Sequence, residues 1–254
     1  MGDKKNVISD DKMPWSFVNV PSGSVVSLKN LGAQIQWHMV FYIEYFGPIF
    51  ILPLLYFLGK REEYTEVQHI AVVLGVLHYL KRELETAFVH VFSRTSMPTK
   101  RCLINCTHYW ILFALFNGIE LFFFPKGHTY DLPILIAIVV AWALFEFLNL
   151  QCHLVLSSFR KAPKQKSEGY ENQSKRRGIP RGWGFGLVSC ANYFWESMAW
   201  VSFCVLTQGW TSLVFVIFSV YQMLEWAIKK HKIYKKEFGD QYPKGRKAMF
   251  PFII

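Results

Sequence analysis

WHMVFYIEYFGPIFILPLLYFL, residues 37–58, is an apolar run interrupted by a single acid, Glu44. About 20 such residues wound as a helix cross the ~30 Å hydrocarbon layer of a bilayer. A carboxylate at that depth costs about 3 kcal/mol on insertion scales, so Glu44 needs a partner, a proton or a task. Gly47-Pro48 follows it, with Pro53 beyond. Each proline removes a backbone N–H and bends the helix, freeing carbonyls for neighbouring groups to satisfy. Working outward, five further apolar runs appear at 67–92, 103–124, 132–156, 184–206 and 210–229. Lys81, Arg82, Glu83 and Glu85 interrupt the first of these five. The pattern predicts an all-α, polytopic transmembrane bundle of six spans, or seven if one run is split.

Composition agrees. Apolar residues make up 52% of the 254, aromatics 17% and charged residues 18%, and the apolar residues come in blocks. That is too apolar for an ordinary soluble domain. The N-terminal stretch MGDKKNVISDDKMPWSFVNV lacks the apolar core of a secretory signal, so the first span would direct insertion. The net charge of +10 falls between the spans. It gathers at Arg94–Arg101, in the loop from Arg160 to Arg181, and in the tail from Lys229 to Lys247. An even number of spans puts all three basic segments and both termini on one face, and the positive-inside rule makes that face cytosolic. Charge spread in this way does not form a nucleic-acid-binding patch. The five cysteines (102, 106, 152, 190 and 204) lack paired C-x-x-C spacing, so packing is expected and no metal site. The glycosylation patterns at Asn105 and Asn172 fall on the cytosolic side and are expected to stay unmodified. Residues 19–30 read as one short strand and turn. The Pro- and Gly-containing loop 161–183 reads as a lid over a cofactor or as a solvated linker.

Four polar constellations lie at membrane depth. Glu44 is the first, with an ion pair as the bland reading. In HYLKRELETAFVH, residues His78, Lys81, Arg82 and Glu85 fall within about 100° of arc. Such a stripe hides charges inside a bundle or surrounds a phosphate-bearing ligand, and Lys81 and Glu85 have ion-pair spacing. In EFLNLQCHLVLSSFRK, residues Glu146, Asn149, His153, Ser157 and Arg160 share one face, a ladder that favours ligand contact over packing. The densest is GWGFGLVSCANYFWESMAW, where glycines precede a helix start and Ser189, Asn192, Tyr193 and Glu196 lie in the first turns. Glycines before a helix let backbone N–H groups approach phosphate, but G-x-G-x-x-G is not present and no Rossmann unit is supported.

VSCANYFWESMAW together with HKIYKKEFGDQYPKGRKAMFPFII resembles the C-terminal part of the steroid 5α-reductase superfamily. Within it, LGAQIQW…EYFGP, KRELETAFVHVFSR…MP and NCTHYW look like the trans-2-enoyl-CoA reductases of very-long-chain fatty acid elongation. The likeness runs from Leu31 to Ile254. It implies a reductase of the endoplasmic reticulum membrane, both termini cytosolic, using NADPH on long-chain enoyl-CoA among membrane lipids and other elongation-cycle enzymes. It implies Glu44 and Tyr193 as catalytic, and Asn149, Arg160, Asn192, Glu196, His231 and Tyr234 as cofactor-binding. Residues 31–254 would be the reductase domain. Residues 1–30 would be a tail in which VPSGSVVSLKN resembles the last strand of a ubiquitin-like domain, as in a shortened member. His153 stands where the steroid-reducing branch tends to have Asp.

Conjugate reduction needs a hydride at C3 and a proton at C2, with negative charge on the thioester oxygen between the two. A phenol of pKa ~10 keeps its proton at neutral pH, which suits Tyr193 to donate it. Glu44, carrying a proton, would hydrogen-bond Tyr193 or the thioester oxygen. The alternatives are a steroid or polyprenol reductase on the same scaffold, an inactive membrane scaffold for elongation enzymes, and a transporter. The spans show no repeat symmetry to favour the last.

Overall fold

The structure, a computed structural model, describes residues 32–92, 96–161 and 177–254. The strand expected at 19–30, the tail assigned to 1–30, the Asn172 pattern and most of the 161–183 loop lie outside these residues.

Strand β1 (Gln34–Gln36) leads into helix α1 (Trp37–Leu58), whose bounds are those of the opening apolar run. A short 3-10 turn (Arg61–Glu63) precedes α2 (Glu66–Phe88). Thr65 starts α2 with a capping box, its side chain accepting from Val67 while Gln68 accepts from the Thr65 N–H at 2.9 Å. Strand β2 (Ser96–Pro98) pairs antiparallel with β1, Ile35 opposite Met97. One long helix follows in three parts: α3 (Thr99–Cys106), a π-helical stretch (Thr107–Leu115) and α4 (Phe116–Phe123). Helices α5 (Leu132–Lys161), α6 (Ala191–Thr207) and α7 (Trp210–Phe238) complete the bundle. The α5–α6 and α1–α2 pairs are the most extensive contacts. Rings of Tyr79, Phe113, Trp200 and Phe215, from α2, the π stretch, α6 and α7, form the core, with centroids 4.9 Å apart for Phe113–Trp200 and 4.8 Å for Trp200–Phe215.

Among the described residues, four helices are long and apolar enough to cross a membrane: Trp37–Leu58, Thr99–Phe123, Leu132–Lys161 and Trp210–Gln241. This is fewer than the six or seven expected. Helix α2 carries too many charges, and α6, at 17 residues, is shorter than the run 184–206. The expected start of α6 is corrected. Residues before Ala191 are strapped to the tail instead, with Ser189 N–H to Lys247 O at 2.8 Å, Cys190 N–H to Ala248 O at 3.1 Å and Lys247 N–H to Leu187 O at 3.0 Å. Ser189 therefore precedes the helix. Conversely, α7 runs nine residues past the expected end at 229.

At the far end of the bundle, Glu120 of α4 caps α7. Its carboxylate accepts from the backbone N–H of Trp210 at 2.9 Å and of Thr211 at 2.7 Å, and Lys126 pairs with it at 3.2 Å. A carboxylate at a helix N-terminus satisfies free donors and complements the helix dipole. Glu120→Ala is expected to cost about 1–2 kcal/mol. Thermal unfolding in detergent would read this, with Glu120→Gln losing less because its amide oxygen still accepts.

Candidate active site

Successive helices alternate in direction, so the starts of α1, α3 and α6 and the ends of α2 and α5 gather at one end of the bundle. Glu44 lies about 10 Å into α1 at 1.5 Å per residue. Arg82 is about one and a half turns from the end of α2, and Asn192, Tyr193 and Glu196 fill the first turns of α6. The four polar constellations thus reach the same half of the molecule.

The stripe on α2 faces the ladder on α5. Glu146 receives His78 Nδ1 at 2.7 Å on one oxygen and Lys81 Nζ at 2.9 Å on the other. Lys81 also donates to Asn149 Oδ1 at 2.6 Å and lies 3.3 Å from Glu85. His78 turns its second nitrogen to Glu196 of α6 at 3.4 Å. Asn149 donates to the backbone carbonyl of Asn192 at 2.9 Å. Arg82 Nη1 meets Glu85 Oε2 at 2.5 Å and His153 Nδ1 at 3.2 Å, while Nη2 donates to Tyr45 OH at 3.1 Å. His78, Glu85, Glu146, Asn149 and His153 are all buried. Charges taken out of water persist only when paired and hydrogen-bonded, and here each is. Glu85, His90 and His153 also form a set able to hold a metal ion. The cation touching Glu85 and His153 is the Arg82 guanidinium.

Glu44 is buried, and its Oε2 accepts from Asn105 Nδ2 at 2.7 Å. Among the described residues it makes no ion pair, so the bland reading gives way to an amide partner, and it is not hydrogen-bonded to Tyr193. Arg82 lies within electrostatic range of both the Glu44 carboxyl and the Tyr193 phenol. Tyr193 packs between Trp226, with ring centroids 6.2 Å apart, and Lys230, whose ammonium sits 5.6 Å from the ring centre. Its hydroxyl has no hydrogen-bond partner among the described residues.

Of the expected cofactor residues, Asn149, Asn192 and Glu196 join this buried polar network by direct contact. Arg160, His231 and Tyr234 lie apart from it, toward the end of the bundle. Arg160 Nη1 donates to the Val91 carbonyl. His231 Nδ1 meets Ser189 Oγ at 2.5 Å, and Ser189 Oγ meets Tyr242 OH at 2.5 Å. Tyr234 is buried and stacked on Tyr242 at 5.7 Å.

Three residues were missed in the sequence. In the sequence Asn105 stands out as a glycosylation pattern and within the NCTHYW stretch, and Lys230 as part of a basic tail, neither with a site role. Arg246 is buried, lies over the Tyr242 ring at 5.5 Å and donates one N–H to Pro180 O at 2.9 Å. Its Nε and Nη1, like Asn192 Oδ1, are buried without a partner among the described residues. An arginine inside the apolar C-terminal run, GRKAMFPFII, was the available signal.

Residues 95–254 match the family model described as 3-oxo-5-alpha-steroid 4-dehydrogenase. A putative enoyl reductase of Schizosaccharomyces pombe is 40% identical over 243 residues, covering 92% of this chain and 78% of that protein. The very-long-chain enoyl-CoA reductase of Dictyostelium discoideum is 38% identical over 244 residues, covering 93% and 76%. A probable very-long-chain enoyl-CoA reductase of Caenorhabditis elegans is 34% identical over 262 residues, covering 99% and 82%.

Proposed function

The chain belongs to the 3-oxo-5-alpha-steroid 4-dehydrogenase family, among its very-long-chain enoyl-CoA reductase members, and from this premise we propose that it reduces the 2,3-double bond of long-chain trans-2-enoyl-CoA with NADPH. The observation that carries the reading is that the buried acid Glu44, held by Asn105, and the phenol of Tyr193 both lie within electrostatic range of the Arg82 guanidinium. Residues 31–254 would be the reductase domain and 1–30 a tail.

Unsatisfied polar atoms test whether NADPH fits. Asn192 Oδ1, a buried acceptor without a partner, suits the N–H groups of a carboxamide. Arg246, with two unpartnered nitrogens, and Lys230, which pairs with no acid among the described residues, suit phosphates. The residues fit the cofactor. When bound, NADPH supplies the hydride that conjugate reduction adds at C3. The Tyr193 hydroxyl holds the proton destined for C2, and no acceptor among the described residues competes for it. The Arg82 charge favours negative charge building on the thioester oxygen, and its partners Glu85 and His153 keep it from reorienting. Glu44 is held in place by Asn105.

The proposal places six helices across the endoplasmic reticulum membrane with both termini cytosolic. Helix α2 turns Lys81, Arg82 and Glu85 toward α5 and leaves Val73, Leu77, Leu80 and Leu84 exposed on its outer side, a face fit for lipid. Purified protein given NADPH and a long-chain 2-enoyl-CoA should oxidise the nicotinamide, followed by its absorbance. Steroid and polyprenol enones should not support oxidation. The reverse pattern would move the chain to the steroid-reducing side of the family, and no oxidation with any enone would favour a scaffold.

A further inference from the structure

Glu44 stands four residues before Pro48, which has no N–H, so the Glu44 carbonyl lacks its helical donor. Trp110 supplies one. Its indole Nε1 lies 3.2 Å from the Glu44 carbonyl oxygen and 3.1 Å from that of Ile43. Gly47 makes the approach possible, since a Cβ there would run into the Trp110 indole. Asn105, on the same long helix, then takes Oε2 of the carboxylate at 2.7 Å. On a regular α-helix, residues five apart point about 140° away from each other. Between them the helix widens into the nine-residue π stretch Thr107–Leu115, which turns less per residue and swings Trp110 back toward the side of Asn105. Long π stretches are rare and concentrate at functional sites.

We propose that Asn105 is a positioning residue for Glu44, and that the π stretch exists to bring Asn105 and Trp110 onto α1 together. Indole and amide grip the backbone and the side chain of one residue. Fixing one carboxylate oxygen fixes the plane of the group and the direction of the other. This inference rests on the proposed role of Glu44. It also commits the Asn105 side-chain N–H to a part-buried hydrogen bond, leaving that amide engaged within the protein.

The test is steady-state kinetics of the full-length protein with NADPH and long-chain 2-enoyl-CoA. Asn105→Ala and Asn105→Asp, the latter of the same shape without the N–H donor, are each expected to lower kcat about 10- to 100-fold with KM within about twofold. Asn105→Ser, which keeps a donor, should retain more activity than Asn105→Ala. Trp110→Phe, which keeps a ring but loses the N–H, should lower kcat in the same direction. A purely structural role would instead lower the yield and melting temperature of all of these while the folded fraction kept its kcat, and that result overturns the inference. Where Asn105→Ala does not accumulate, the near-isosteric and uncharged Asn105→Leu decides, since Asn105→Asp also sets a second carboxyl against Glu44. Glu44→Gln run alongside separates the two claims. If it turns over normally, the role of Glu44 fails; if it is inactive while the Asn105 variants are normal, only the positioning role fails.

Discussion

Tyr193→Phe is expected to lower kcat for enoyl-CoA reduction by at least about 100-fold while the protein accumulates and unfolds as the unmodified chain does. The change removes one oxygen. The phenyl ring still meets Trp226 and still lies 5.6 Å from the Lys230 ammonium, so packing around the start of α6 is kept. No protein group hydrogen-bonds the phenol among the described residues, so its loss leaves no orphaned partner. The usual cost of removing a buried hydrogen-bonded hydroxyl therefore does not apply, and the stability change should stay within about 0.5 kcal/mol. What goes is the only proton the α6 phenol offers to the chamber. General acids contribute about 10²–10⁴-fold, which sets the expected size. KM should change little, because the hydroxyl is proposed to act on the developing carbanion and not on the bound ground state. Measured kcat within a few-fold of the unmodified protein would remove Tyr193 from the reaction and turn attention to Glu44 as the proton source.

The parts of this site legible in the sequence are those written at helical period. The α2 stripe and the α5 ladder each lie on a face set by 3.6 residues per turn, and they meet as His78–Glu146 and Lys81–Asn149. The start of α6 was not legible, because GLVSC is apolar enough to pass for the beginning of a span. The competing partner, the backbone of Lys247 and Ala248 some sixty residues later, has no local signature. The same holds for β1 with β2, for Asn105 on Glu44 and for Arg246 on Pro180. Each is a choice of partner at long range, made by helix packing that periodicity does not encode. Composition likewise makes α2 look like a poor span, since a count of its charges ignores that Lys81, Arg82 and Glu85 point inward.

That inward placement makes Glu85 the residue on which stability turns. Its carboxylate is buried and touches Arg82 at 2.5 Å, His153 at 3.0 Å and Lys81 at 3.3 Å. Glu85→Ala would leave Arg82 with Tyr45 as its one hydrogen-bonded oxygen and shift the balance of the chamber by a full positive charge. Removing one member of a buried pair costs about 3–5 kcal/mol, a large part of a typical 5–15 kcal/mol stability. The expected result is a much lower yield of monodisperse protein and a depressed thermal midpoint in detergent. The double variant Arg82→Met/Glu85→Leu removes both charges, so no uncompensated ion is left, and should regain at least about 1.5 kcal/mol over the sum of the single variants. It should not regain turnover, because the guanidinium whose charge reaches both Glu44 and Tyr193 is gone. Recovery of stability without activity would separate the two duties of Arg82. Recovery of both would mean that the chamber works without its central charge, and an additive double variant would mean that the pair is a bystander to the fold.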